Sequence, residues 1–544
     1  MTNWNFADAW EVAAEVRGDT RALLHDSHER SWAEFDRRAA GVAKTLLAGG
    51  LGHQAKVAQY LYNCNEYLEA LFGAEKASMI PVNTNYRYTD KELTYIWDNA
   101  DAQAVIFHGS FTKNVERVRS LVPNVKLWLH VDDGGDPCPD WAMPFEEAAN
   151  ALGPDEDPHI TGQTPRSGDD LYFLYTGGTT GTPKGVMWRQ DDLFAVLNGG
   201  SPLPLPEDAG LEGVRNMLVA LSASPPVVLP ACPLMHGTGA FTAFSCLMLG
   251  GCVVTLPGRG FDAELLLDTV QREKVNLVTI VGDSFAKPIL RALDANPGRF
   301  DLSSLLGFLS SGVMWSEETK QGLHRHNPNM LLIDSFGSSE AIGMGNSVST
   351  AGAEAHTASF QLGEAAKVID DDCNDIVPGS GQPGRIALGG RIPVGYYKDE
   401  AKTVATFVTI GGERYSIPGD YAVVEADGSL QLLGRGSVSI NTGGEKVFPE
   451  EVEEVLKTHQ AVADAVAVGI PDERFGEAIT AVVELSPGAE AAEEELIGHV
   501  KGQIASFKAP RRVVFVDAIG RSPAGKVDYK MLRALAMERL GVTA

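Results

Sequence analysis

No two of the six cysteines (Cys64, Cys138, Cys232, Cys246, Cys252 and Cys373) fall in a CxxC spacing. That argues against a zinc ribbon or a disulfide framework and for free thiols in a reducing cytoplasm. Basic charge is also scarce: 45 Lys and Arg stand against 72 Asp and Glu, a formal net charge of -27. A surface of that sign opposes general nucleic-acid binding, which displaces counterions with cations. It leaves room for small anions held by backbone amides and a lysine or two. Long apolar runs are missing as well. Residues 217–258 hold no Lys, Arg, Asp or Glu, but Pro225, Pro226, Pro230 and Pro233 break the first half, and Gly250 and Gly251 interrupt the second. The clean helical piece, residues 239–249, falls short of the roughly 20 apolar residues a membrane span needs. The segment therefore reads as a strand, a loop, a buried helix and the strand "CVVTL", with no integral membrane segment. The opening "MTNWNFADAW" has neither a basic stretch nor an apolar run, so no secretory signal is expected.

What is present is enough chain, 544 residues at 44% hydrophobic content, for about three or four structural units. The first 130 or so residues alternate helical and strand patterns: "SWAEFDRRAAGVAKTLLAGG", "KVAQYLY", "EYLEALFGAEKAS", "MIPVN", "DKELTYIWDNA", "AQAVIF". That rhythm predicts βαβ units and a largely parallel sheet. Acidic, Pro- and Gly-rich sequence over residues 132–170 reads as a surface connection into "LYFLY". Alternation resumes through "VNLVTIVG", "LLGFLSSG" and "MLLIDSFG", and gives way near Glu364 to short strands with Gly turns. A last unit starts after "GRGS", with the acidic helix opened by Pro449, the strands "VADAVAVGI", "ITAVVEL" and "RRVVFVD", and a helix carrying Leu496, Val500 and Ile504 on one face. The fold class is thus α/β: a large N-terminal domain of αβ-layered subdomains with a β-rich subdomain, then a small α+β C-terminal domain.

One stretch cannot pack a core. "YTGGTTGTPKG" sets four glycines and four threonines around Lys184 between two strand patterns, "LYFLY" and "GVMW". Glycines let backbone N–H groups crowd an anion, hydroxyls add donors, and the lysine adds charge. The spacing is not that of the NTPase P-loop, because Pro183 precedes the lysine and Gly185 follows it. Read alone, the stretch could equally be a surface loop.

The segment resembles the phosphate-loop signature of the AMP-forming adenylate superfamily, which contains acyl- and aryl-CoA synthetases, peptide-synthetase adenylation domains and beetle luciferases. Further motifs follow in that family's order along nearly the whole chain. The resemblance implies that Thr176, Gly177, Gly178, Thr179, Thr180, Gly181 and Lys184 hold the phosphates of ATP, with Thr176 also close to the chemistry. "DSFGSSEA" is similar to the aromatic-Gly-x-Thr-Glu signature: Phe336 would stack on adenine, Gly337, Ser338 and Ser339 would line the nucleotide, and Glu340 would hold Mg2+. Magnesium suits one carboxylate plus phosphate oxygens. Ser339 replaces the usual threonine and keeps its hydroxyl. In "LSSGVMW" the backbone of Gly312 would lie against adenine, and in "SIPGDYA" Asp420 would accept the ribose hydroxyls, with Arg435 of "LLGRG" as second contact. Gly443 and Gly444 of "NTGGEKVFPEEVE" would line a tunnel for the CoA arm. Lys526 of "RSPAGKVDY" matches the catalytic lysine that bridges carboxylate and phosphate.

By the same resemblance residues 1–435 form the nucleotide and acyl domain, and residues 436–544 a mobile domain carrying Lys526. The sequence departs from the pattern at Ser437, where the family's pivot is usually Asp or Lys. The acyl pocket would draw on His236, Gly239, Val281, Met314 and Ala341, with His236 as a wall residue rather than a base. Small residues in "GTGAF" and "AIGMG" favour a bulky apolar acyl group, and "GVMWRQDDLF" resembles actinobacterial ligases for fatty acids and steroid side chains. The expected reaction joins a carboxylic acid to CoA through an acyl-adenylate, with ATP, Mg2+ and CoA as cofactors and co-substrate. Its rivals are an acyl-AMP ligase loading a carrier protein, luciferase-like use of the adenylate, and a non-enzymatic nucleotide sensor. A homodimer is compatible with the sequence.

Overall fold

A computed structural model describes residues 3–542, apart from 163, 177–182, 314, 353–357, 436–437, 443–444, 473–475, 505, 523–524 and 526. Of residues 435, 441, 445, 446 and 476 it describes the backbone only. The chain divides into two compact units: Met1–Thr357 with Gly389–Ser416, and Ala358–Leu388 with Ile417–Ala544.

The first unit contains the expected βαβ rhythm. One sheet runs in the order Gly395–Tyr396, Lys184–Arg189, Leu171–Thr176, Ile80–Asn83, Lys56–Tyr60, Ala102–His108, Leu127–Val131, Met143–Pro144. It is parallel from Leu171–Thr176 onward; Lys184–Arg189 runs against both of its neighbours, so Gly395–Tyr396 points the same way as the parallel strands. Helix Trp32–Ala48 starts at a capping box: the Ser31 hydroxyl accepts from the Glu34 amide, and the Glu34 carboxylate accepts from the Ser31 amide. Thr89 and Glu92 do the same for helix Asp90–Asn99.

In a second sheet of this unit the parallel strands stand in the order Cys252–Thr255, Val227–Pro230, Leu277–Ile280, Gly307–Ser311, Leu331–Ser338. Ala341–Ser349 then turns back antiparallel. Its strands and helices close over a core that includes Leu229, Val278, Ile280, Phe285, Phe308 and Trp315. Residues 217–258 form the end of helix Gly210–Ala220, a strand, helix Gly237–Met248 and a strand. Among the described residues no helix is long and apolar enough to cross a membrane. All six cysteines are free.

The 132–170 connection contains the short strand Met143–Pro144 and helix Phe145–Ala149. Phe145, Ala148 and Ala149, at helical spacing, are buried there, an apolar triplet masked by the acidic composition around it.

In the second unit, Ser359–Leu362, Ser429–Arg435, Asp420–Val424, Gly384–Leu388 and Ala366–Ile369 pair antiparallel in that order. A further sheet is built on the long hairpin of Val462–Asp472 and Gly476–Leu485, with Arg512–Val516 parallel to the latter. Alternate strand residues point to opposite faces. Ala465, Ala467, Ile479, Ala481 and Val483 therefore meet helices Pro449–Lys457 and Glu493–Gln503 through Val452, Leu456, Leu496 and Val500. On the other face Val466, Val468, Ala478 and Val482 meet helix Tyr529–Leu540.

Candidate active site

Ligands in open α/β sheets bind outside the carboxyl ends of the strands. In the first unit the residues singled out from sequence cluster at those ends. Val281 follows the strand ending at Ile280, Gly312 follows the one ending at Ser311, and Ser339 and Glu340 follow the one ending at Ser338. His236 lies in the connection after Pro230, as N-cap of helix Gly237–Met248. These strands are neighbours in the sheet, so their ends stand side by side.

Gly312 has φ +89°, a backbone region that L side chains rarely adopt. A Cβ there would find nothing closer than Val281 Cγ1 at 3.9 Å and Thr238 Oγ1 at 4.0 Å. The glycine therefore serves the turn, and its open side faces Val281 and Thr238. Gly239 differs: a Cβ there would come within 2.5 Å of the Pro233 carbonyl oxygen, so its place is set by close packing. Val281 and Ala341 are buried, while Phe336 and His236 are half-buried.

Glu340 occupies a two-residue turn, because Ser338 and Ala341 are cross-strand partners. Its Oε1 accepts a hydrogen bond from Tyr396 Oη at 2.7 Å. The neighbouring Ser339 carbonyl accepts from Trp188 Nε1 at 3.0 Å. The Ser338 hydroxyl is buried with no hydrogen-bond partner among the described residues, a cost that a bound polar group would relieve.

Thr176 and Lys184 face each other as a cross-strand pair at the ends of their strands. Lys184 Nζ lies 2.5 Å from Asp399 Oδ2, with 35% of its side chain exposed, and 5.8 Å from the Tyr396 ring centre. Asp399 Oδ1 accepts from the Lys402 amide at 2.9 Å and caps helix Glu400–Thr406. The lysine and that amide hold the Asp399 carboxyl below its ordinary range.

Asn83 ties this edge to the second sheet. Its Nδ2 donates to the Tyr175 carbonyl at 2.8 Å and to the Met235 carbonyl at 2.7 Å, and its Oδ1 accepts from the Tyr175 amide at 2.7 Å. One buried amide thus fixes the end of strand Leu171–Thr176 against the residue preceding His236.

Sequence reasoning passed over Tyr396, Asp399 and Asn83. "VGYYKDE" carried a signal, an aromatic pair beside an acid at a helix start, but nothing local tied it to a loop 215 residues away.

In the second unit Asp420 and Arg435 are cross-strand partners, with Asp420 buried at 6% exposure. Gly177, Gly178, Thr179, Thr180, Gly181, Met314, Ser437, Gly443, Gly444 and Lys526 lie outside the described residues, as does the Arg435 side chain. Among the described residues no three His, Cys, Asp or Glu side chains group as a metal cluster. A cation at Glu340 would therefore draw most of its oxygens from a bound polyphosphate, the donor set magnesium commonly takes.

The fold is that of known adenylate-handling ligases. Anthranilate CoA ligase AuaEII, solved with anthranoyl-AMP, superposes with a TM-score of 0.84 over 100% of this chain and 99% of its own, at 22% identity. ATP-bound MatB from Rhodopseudomonas palustris gives 0.78 over 99% and 100%, at 23% identity. In sequence, the AMP-binding enzyme profile matches residues 10–397 and the AMP-binding enzyme C-terminal domain matches residues 451–526. The chain belongs to the AMP-binding enzyme family. It is 42% identical over 533 residues to the medium/long-chain-fatty-acid–CoA/3-oxocholest-4-en-26-oate–CoA ligase of Mycobacterium marinum, covering 97% of this chain and 95% of that protein. It is equally 42% identical, over 544 residues, to the 3-oxocholest-4-en-26-oate–CoA ligase of Rhodococcus rhodochrous, with the same shares covered.

Proposed function

We propose that the protein is an AMP-forming acyl-CoA ligase acting on medium- to long-chain fatty acids or a steroid side-chain carboxylate. The observation that carries this reading is the gathering of Val281, Gly312 and Glu340 at the carboxyl ends of neighbouring parallel strands. Likeness to ligases named for fatty and steroid acids supports the acyl class.

In the first step the carboxylate of the acid attacks the α-phosphorus of ATP, giving acyl-AMP and pyrophosphate. The acid is already ionised at neutral pH, so no base is required of His236. Its role is to wall the acyl site with Val281, Ala341, Gly239 and Met314. Thr176, Lys184 and the loop between them hold the departing phosphates, Gly312 and Phe336 receive the adenine, and Asp420 with Arg435 receives the ribose. Glu340 would hold Mg2+, which when bound supplies charge neutralisation at the phosphates. Lys526 bridges the incoming carboxylate and the phosphate. In the second step the CoA thiolate displaces AMP, with Gly443 and Gly444 lining its path. Residues 436–544 turn between the two steps, which orders both chemistries in one site and shields the anhydride from water.

The test is a panel of carboxylic acids with ATP and Mg2+, following pyrophosphate and AMP with and without CoA. A fatty or steroid acid should give AMP, pyrophosphate and a CoA thioester. Release of ADP, or thioester only on a carrier-protein thiol, would overturn the reading. Lys526→Ala should lower adenylation by about 10²–10³-fold and largely spare thioester formation from supplied acyl-AMP.

A further inference from the structure

We propose that the turn at residues 395–399 is the positioning element of the nucleotide site, with Tyr396 orienting the Glu340 carboxylate and Asp399 holding Lys184. The inference rests on the roles just given to Glu340 and Lys184, and concerns how those two groups are set before ATP arrives.

Tyr396 is 5% exposed, and a buried tyrosine hydroxyl needs an acceptor. The acceptor is Glu340, in the two-residue turn between Ser338 and Ala341. With Oε1 taken by the tyrosine, Oε2 is the oxygen presented to a cation. Asp399 divides its carboxylate in the same way: Oδ1 caps a helix and Oδ2 takes the lysine. Because the cap ties the carboxylate to helix Glu400–Thr406, the anchor cannot follow the lysine. An ammonium has three N–H donors, so the pair leaves donors for phosphate oxygens on the exposed side of Lys184.

The turn is itself fixed to the strand that carries Lys184. Gly395 pairs with Met187 and Tyr396 with Val186, while the Tyr397 amide donates to the Gly185 carbonyl at 2.8 Å. The Tyr396 amide donates to Thr403 Oγ1 at 2.9 Å, and Arg414 donates to the Pro393 and Val394 carbonyls at 2.7 Å each. One short segment thus sets the metal-side carboxylate and the phosphate-side ammonium together.

A rival role for Asp399 is to sequester Lys184 from the phosphates, and it makes the opposite prediction. Calorimetric titration of the full chain with ATP, with and without Mg2+, separates the two. If Asp399 positions the lysine, Asp399→Asn, which retains a capping oxygen, weakens ATP about tenfold in both conditions. Tighter or unchanged binding overturns the proposal. Tyr396→Phe keeps the ring near Phe407 and Lys184; it should weaken ATP severalfold only when Mg2+ is present. Equal behaviour of Tyr396→Phe and wild type in Mg2+ overturns the tyrosine's part. Thermal midpoints of both variants should match wild type, since neither substitution opens a cavity. If the variants behave as stated but no acid yields pyrophosphate, the ligase reading falls while the positioning role stands.

Discussion

Lys76 and Lys184 each lie 2.5 Å from a carboxylate oxygen, and there the likeness ends. Lys76 has no exposed side-chain surface. It meets Glu11 at 2.5 Å, Asp36 at 2.7 Å and the Pro158 carbonyl at 3.0 Å. Glu11 in turn meets Arg166 at 2.5 Å and His159 at 3.1 Å. Lys184 is 35% exposed and its partner 31%. The buried cluster has drawn in partners from four distant segments, so it fixes packing and has little left to offer a ligand. The open pair keeps donors facing solvent. Charge held close is a sign of structure in one place and of readiness in the other, and the count of remaining donors tells them apart.

The largest effect should come from Lys76→Met. Removing one member of a buried charge cluster leaves Glu11 and Asp36 without their ammonium and should cost about 3–5 kcal/mol in thermal or denaturant unfolding. A variant as stable as wild type would break the comparison at its root.

Next comes Glu11→Gln. Burial alone would raise this carboxyl, but Arg166 and Lys76 outweigh it and bring it from its ordinary 4.5 down to about 2. A group depressed on folding stabilises fully above its unfolded value. The native protein should thus lose roughly 2–3 kcal/mol as pH falls from 4.5 toward 2, and the variant should lack that part of the slope. Denaturant midpoints across this range measure it, and parallel slopes would contradict the assignment.

Smallest in stability is Lys184→Met. An exposed pair contributes within about 0.5 kcal/mol, so the melting curve should barely move while ATP affinity falls about tenfold. A melting loss as large as that of Lys76→Met would make Lys184 structural.

The alternation that predicted a parallel sheet was legible because its strands are short apolar runs between amphipathic helices with clear stops. The capping boxes at Ser31 and Thr89 were passed over, although "SWAE" and "TDKE" carry their spacing. Val281, Gly312 and Glu340 were singled out by resemblance, and the structure sets all three just after the carboxyl ends of neighbouring strands. What escaped was long-range pairing. No local pattern links Tyr396 to Glu340, 56 residues earlier, or Asn83 to Met235, 152 residues later. The antiparallel return of Lys184–Arg189 beside a parallel sheet was equally silent, since strand direction leaves no mark on an apolar run. Helix Phe145–Ala149 was hidden by acidic neighbours that only the fold turns outward.

The hydrogen bond from Trp188 to the Ser339 carbonyl has a mechanical meaning. Trp188 is fully buried on the strand that leads away from the phosphate loop, and Ser339 is the peptide next to Glu340. The strand that carries Lys184 and the turn that carries Glu340 are thereby joined through one indole N–H, so neither can shift on its own without breaking that bond.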